Sequence, residues 1–71
     1  MPAAAFTAAL PAQTVQLLLV VRGLMPAGAV NGRFDRATAD AVAGFQAEAG
    51  LDVTGVASRE TADALLALHR L

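Results

Sequence analysis

Val30-Asn31-Gly32-Arg33-Phe34-Asp35-Arg36-Ala37-Thr38-Ala39-Asp40-Ala41-Val42 is echoed, 23 residues on, by Val53-Thr54-Gly55-Val56-Ala57-Ser58-Arg59-Glu60-Thr61-Ala62-Asp63-Ala64-Leu65. Both stretches carry a Val, a Gly two residues later, an Arg, then Thr-Ala-Asp-Ala and an aliphatic residue. Each reads as a turn feeding a capped helix. The turn calls for Gly because a positive φ carries no Cβ penalty there. Asp35 and Ser58 stand where a side-chain oxygen can accept from the unpaired N–H groups of a first helical turn. The repeat is too short for a solenoid, so one structural device is used twice inside a single small domain.

Outward from that repeat, the chain divides into three helices. The first is expected from about Ala12 to Leu24, with Pro11 at its start and Pro26 and the Gly28 loop beyond its end. The second runs from about Arg36 to Ala49, with Gly50 as a left-handed C-terminal cap. The third runs from about Arg59 to Arg70. Residues 1–10 read as an Ala-rich arm and 11–71 as the folded domain. No segment alternates with period two, although Val30 and Val53 could make short extended contacts. In the second helix Ala39, Val42, Phe45, Gln46 and Ala49 form one stripe, as Thr61, Ala62, Leu65 and Leu68 do in the third.

The first helix is apolar most of the way round. At 100° per residue Leu17, Val20, Val21 and Leu24 share a face that can join the core, while Leu19 points nearly opposite and Leu18 and Met25 lie on a shoulder. A helix of this kind is ordinarily buried on most sides, and three helices offer little to bury it. Leu18, Leu19 and Met25, with Phe6 of the arm, are therefore candidates for a protein-partner surface, the plainer alternative being scattered surface aliphatics.

At 71 residues the chain is one domain near the lower size limit for a self-sufficient core. It has no Cys, so no disulfide or thiolate metal site can staple it. Hydrophobic residues make up 56% of it, many of them Ala, which suits close helix contacts. The net charge is -1, from five Arg, no Lys and six acidic residues, and gives no basic stripe for nucleic acid. No charge precedes Arg22, so the start lacks the positive region of an export signal, and synthesis in the cytoplasm is expected. The Leu17 to Val21 run is far shorter than the roughly 20 residues of a membrane span.

From Leu17 to Leu65 the sequence resembles the small three-helix peptidoglycan-binding domain of type 1, the module found beside many cell-wall hydrolases. That family shows a first-helix Leu-Gln-x-x-Leu-x-x-Leu-Gly pattern, then a Val-Asp-Gly-x-Phe-Gly-x-x-Thr loop, Ala-Val-x-x-Phe-Gln, Gly-Leu, a second Val-x-Gly loop and Thr-x-x-x-Leu. Leu17, Val21 and Leu24 take the apolar places of the first pattern. Val30, Gly32, Phe34 and Thr38 match the first loop, and Ala41, Val42, Phe45 and Gln46 the helix signature. Gly50, Leu51, Val53, Gly55, Thr61 and Leu65 complete the series. On this reading Leu18 replaces the usual Gln and Met25 the usual Gly. Asn31 and Thr54 stand in for the Asp before each loop Gly, and Asp35 and Ser58 for a second Gly. The resemblance implies a compact all-α bundle that binds peptidoglycan or its stem peptide at the bacterial cell wall.

Hydrolysis would need a nucleophile with a base, paired carboxylates in a cleft or a metal cluster. The lone imidazole, His69, and the solvated helical carboxylates Asp40 and Asp63 supply none of these, so neither catalysis nor a cofactor is expected. Candidate ligand contacts are Asn31, Arg33, Arg36, Gln46 and Arg59, the arginines because a guanidinium can hold a carboxylate in bidentate fashion. The plainer readings are a turn former for Asn31, a helix-to-loop hydrogen bond for Gln46 and a solvated face for the arginines. Phe34 and Phe45 are assigned to the core. The lack of Trp and Tyr to stack on sugars weakens the case for glycan contacts and leaves recognition through the peptide open. The competing reading is a structural subunit of a phage or phage-like particle that reuses this fold and packs through its apolar first helix and arm.

Overall fold

The computed structural model describes residues 10–69, with side chains through residue 67. Three helices, α1 (Ala12–Val21), α2 (Arg36–Ala49) and α3 (Arg59–His69), follow one another, with a short 3-10 turn, Ala27–Ala29, between α1 and α2. There is no strand among the described residues, and Val30 and Val53 make no ladder. Phe6 and the rest of the expected arm lie outside the described residues, except Leu10, which packs against the core.

Both α1 and α2 stop at a glycine. Gly23 adopts φ 77°, its N–H bonds Val20 O at 2.9 Å, and the N–H of Leu24 reaches back to Leu19 O at 2.9 Å. Gly50 repeats the arrangement at φ 75°, with Gly50 N–H on Ala47 O at 3.3 Å and Leu51 N–H on Gln46 O at 2.9 Å. This pair of backward bonds satisfies carbonyls that a helix end leaves open, and the left-handed residue it requires is strained for any side chain. The helix expected to reach Leu24 therefore ends three residues early. At its other end Pro11 is the cap itself, its carbonyl accepting from Val15 N–H at 3.1 Å.

The core is Val15, Leu18, Leu19, Met25, Ala41, Val42, Phe45, Ala62 and Leu65. Leu19 and Val42 are 0% exposed, as are Phe45 and Leu65. This corrects the expectation for the first helix. Leu18, Leu19 and Met25 are core residues rather than a partner surface, while Leu17 and Val21, assigned to the core, are 49% and 64% exposed. The physical reason is that α1 packs against both α2 and α3, and the chain before α2 closes over it. Within α1 only Gln13, Leu17 and Val21 are exposed. These are spaced by four residues, so solvent meets a single narrow stripe. Three short helices do surround one of their own.

In α2 the buried positions are Thr38, Ala41, Val42, Phe45 and Gln46. Ala49 is exposed, so the stripe is rotated slightly from the expected one. In α3 Thr61, Ala62 and Leu65 are buried as expected, and the Leu68 side chain lies outside the described residues. Phe34, assigned to the core, is 43% exposed on the first loop.

Candidate functional site

Two buried glutamines organise the surface that the repeat presents. The Oε1 of Gln16 accepts from the N–H groups of Asn31 and Gly32 at 3.0 and 2.9 Å. Its Nε2 donates to Asn31 Oδ1, Arg33 O and Thr38 Oγ1 at 3.0, 2.7 and 2.9 Å. Gln46 does the same one repeat later. Its Oε1 accepts from Thr54 and Gly55 N–H at 2.9 Å each, and its Nε2 donates to Thr54 Oγ1, Val56 O and Thr61 Oγ1 at 3.2, 3.0 and 2.9 Å. An amide is suited to this work because it offers acceptor and donor side by side. The two adjacent loop N–H groups can face one acceptor because the loop turns at a glycine, with Gly32 at φ 77° and Gly55 at φ 75°. Gly55 also approaches α2, where an added Cβ would lie 3.5 Å from Ala39 O, which sets the second loop against the first half of α2.

The caps repeat as well. Asp35 Oδ1 accepts from Thr38 N–H at 3.0 Å and from the Thr38 hydroxyl at 2.7 Å, while its Oδ2 accepts from Asn31 Nδ2 at 3.1 Å. Ser58 Oγ accepts from Thr61 N–H at 3.4 Å and shares a 3.2 Å hydrogen bond with the Thr61 hydroxyl. The Thr38 hydroxyl first, then the Thr38 N–H and the Asn31 amide, hold the Asp35 carboxyl below its ordinary pKa of 3.8.

Of the candidate ligand residues, the structure gathers Asn31, Arg33 and Arg36 on the first loop and Gln46 and Arg59 with the second. Gln46 is buried and its amide bonds the protein itself. Asn31 closes its own turn, its Oδ1 also accepting from Arg33 N–H at 2.9 Å. The arginines differ. Arg33 is exposed. Arg36 and Arg59 each open a helix, and each touches the Asp four residues on, at 3.9 Å in both cases, with the Arg36 side chain 92% exposed. Among the described residues no group of three or more His, Cys, Asp and Glu side chains could hold a metal ion, and no helix is long and apolar enough to cross a membrane.

The family described as a peptidoglycan binding domain matches residues 11–65, which hold both glutamine-clamped loops. The chain belongs to that family. No curated protein and no solved structure matches it. Within the peptidoglycan-binding pattern, the geometry moves the first helix by two residues. The pattern's Gln is Gln16, which performs on the first loop what Gln46 performs on the second, and its Gly is Gly23, which ends α1. Leu18 and Met25 are thus not replacements for those residues. Val15 and Leu19 take the two leading apolar places, both buried, and Arg22 falls where the pattern ends on a third Leu.

Sequence reasoning passed over Gln16 and Arg22. The clue to Gln16 is weak in this peptidoglycan-binding chain, because Gln16 lies 15 residues before its Asn whereas Gln46 lies 8 before its Thr. Direct superposition of the two repeats therefore misses it. Arg22 is partly buried, with its guanidinium carbon 5.4 Å from the centroid of the Phe45 ring. Its Nε is buried and has no hydrogen-bond partner. With Phe45, Glu48, Ala49, Ala64 and Ala67 it lines an open cavity of about 510 Å³ between α2 and α3.

Proposed function

We propose that this protein is a non-catalytic module that holds peptidoglycan through the arginines of its first loop, with Arg59 as their counterpart on the second. The observation that carries this reading is the placement of Arg36 and Arg59. Each is a cation on the first turn of a helix, where the macrodipole disfavours positive charge. Among the described residues each has only a long, exposed contact to Asp in return, and such pairs add little stability. Folding does not account for them, whereas a carboxylate ligand would be drawn by the guanidinium. The reading needs no catalytic group and no cofactor. Residues 11–71 act as the domain in this proposal, with 1–10 as its arm.

Burial of Leu18, Leu19 and Met25 takes away the apolar helix face on which a particle-assembly subunit would pack, while Phe6 of the arm lies outside the described residues. The test is co-sedimentation with insoluble, purified peptidoglycan at low salt. Wild-type protein is expected in the pellet, and Arg33→Ala with Arg36→Ala is expected to leave most of it in the supernatant. Wild-type protein that stays in solution would end the wall-binding reading.

A further inference from the structure

We propose that the cavity beneath Arg22 is a second contact site, taking a short peptide segment that carries a free carboxylate and an amine, as a wall stem peptide does. The carboxylate meets Arg22, the amine meets Glu48, and a small side chain lies against Ala49, Ala64 and Ala67. This rests on the wall-binding reading above.

Three observations carry it. The first is the state of Arg22. Its guanidinium lies over the Phe45 ring at 5.4 Å, a contact that holds the cation without using its donors. Its Nε is buried with no acceptor, and among the described residues the ion pairs are those of Arg36 and Arg59. A buried donor without a partner is uncommon and unfavourable, so the fold leaves this guanidinium incompletely satisfied, and an incoming carboxylate meets its outer N–H groups on the cavity side.

The second is the shape and lining. At about 510 Å³ the space is in the range of small-ligand sites. It is open because α2 and α3 contribute Ala49, Ala64 and Ala67, methyl-sized side chains that leave room for a ligand residue of similar size. The third is charge. Arg22 and Glu48 line the same cavity without pairing with each other. A cation and an anion on one wall, with no ion pair to each other or to any other described residue, match a ligand that carries both signs. A neutral sugar chain would gain hydrogen bonds but no charge pairing from either, and the one aromatic ring here has a face covered by Arg22.

The experiment is a titration of the isotopically labelled full chain, followed by amide NMR, with three probes: a soluble muropeptide bearing its stem peptide, the same muropeptide with its carboxyl groups amidated, and the peptide-free disaccharide. The stem-bearing probe is expected to shift the amides of Ala49, Ala64 and Ala67, and the other two to leave them in place. Arg22→Gln, which removes the cation, and Ala67→Trp, which fills the space from an exposed position, are each expected to weaken muropeptide binding at least tenfold while circular dichroism stays native. Shifts confined to the Arg33 and Arg36 loop, equal binding by the amidated probe, or wild-type affinity in both variants would overturn the proposal. In those cases wild-type protein still sediments with peptidoglycan, so the cavity reading falls alone. A wild type that neither sediments nor shifts removes both readings together.

Discussion

A glutamine buried in a helical core is a burden unless every polar atom finds a partner, and Gln16 and Gln46 each have five polar contacts, four in the loop they hold and one to a Thr in the first turn of the helix after it. Replacing either by Leu keeps the bulk and strands two loop N–H groups and a carbonyl. Water can reach part of each loop, so the expected loss is about 3 kcal/mol rather than the sum of five bonds. Chemical denaturation of Gln16→Leu and Gln46→Leu checks this, and a loss below about 1 kcal/mol would mean that the loops hold themselves. Asp35 supplies a second test. Its carboxyl is held below 3.8 by bonds to the charged form, so the folded state binds its proton less readily than the unfolded state. The stability it contributes is complete above about pH 4 and is lost as pH falls through the lowered value. On acidification the Thr38 amide and the Asn31 side-chain amide are expected to shift together with a midpoint below 3.8, while Thr61, capped by a serine, stays unmoved through that range. The caps and glycine turns were legible in the sequence because their chemistry is local. Gln16 was harder to read, since its partners lie 15 to 22 residues away and its one local mark, the spacing of Gln16, Leu19 and Gly23, is masked by the apolar run that also fits two residues later.

At the scale of the element, α2 and α3 differ from α1 in how much their sequences disclose. Arg36 to Ala49 alternates apolar and charged faces, so its bounds and most of its buried stripe follow from periodicity, and a capping Asp and a terminal Gly bracket it. The same contrast places Thr61, Ala62 and Leu65 of α3. In α1 that contrast is missing: Leu17-Leu18-Leu19-Val20-Val21 is apolar at every step, so any phase yields a plausible stripe. What sets the phase is Gln16, which must face the first loop and thereby turns Leu19 inward and Leu17 outward. Truncation separates the two phases. Leu19→Ala is expected to cost about 3 kcal/mol, the loss from a side chain with no exposure, and Leu17→Ala under about 1 kcal/mol. Equal or reversed losses in thermal unfolding would restore the phase in which Leu17 and Val21 join the core.

The whole molecule is two copies of one joint that share a part. Helix α2 begins at the first clamped loop, capped by Asp35, and near its far end carries Gln46, which clamps the second. The joints therefore cannot open independently without α2 giving up either its start or its glutamine. A domain of 71 residues has only about 4 to 10 kcal/mol of stability to divide, too little to sustain two autonomous units around Phe45 and Leu65. One cooperative unit is the consequence, and it can be seen from a distance. Gln16→Leu, at about 3 kcal/mol, is expected to speed hydrogen exchange roughly a hundredfold not only at Asn31 and Gly32 but equally at Thr54 and Gly55, whose own acceptor, Gln46, is untouched. If the second loop keeps its wild-type protection while the first loses it, the joints are separate and α2 does not bind them into one fold. Equal loss at both places makes the two loops a single mechanical surface, so that a change at either loop alters the footing of the arginines on the other.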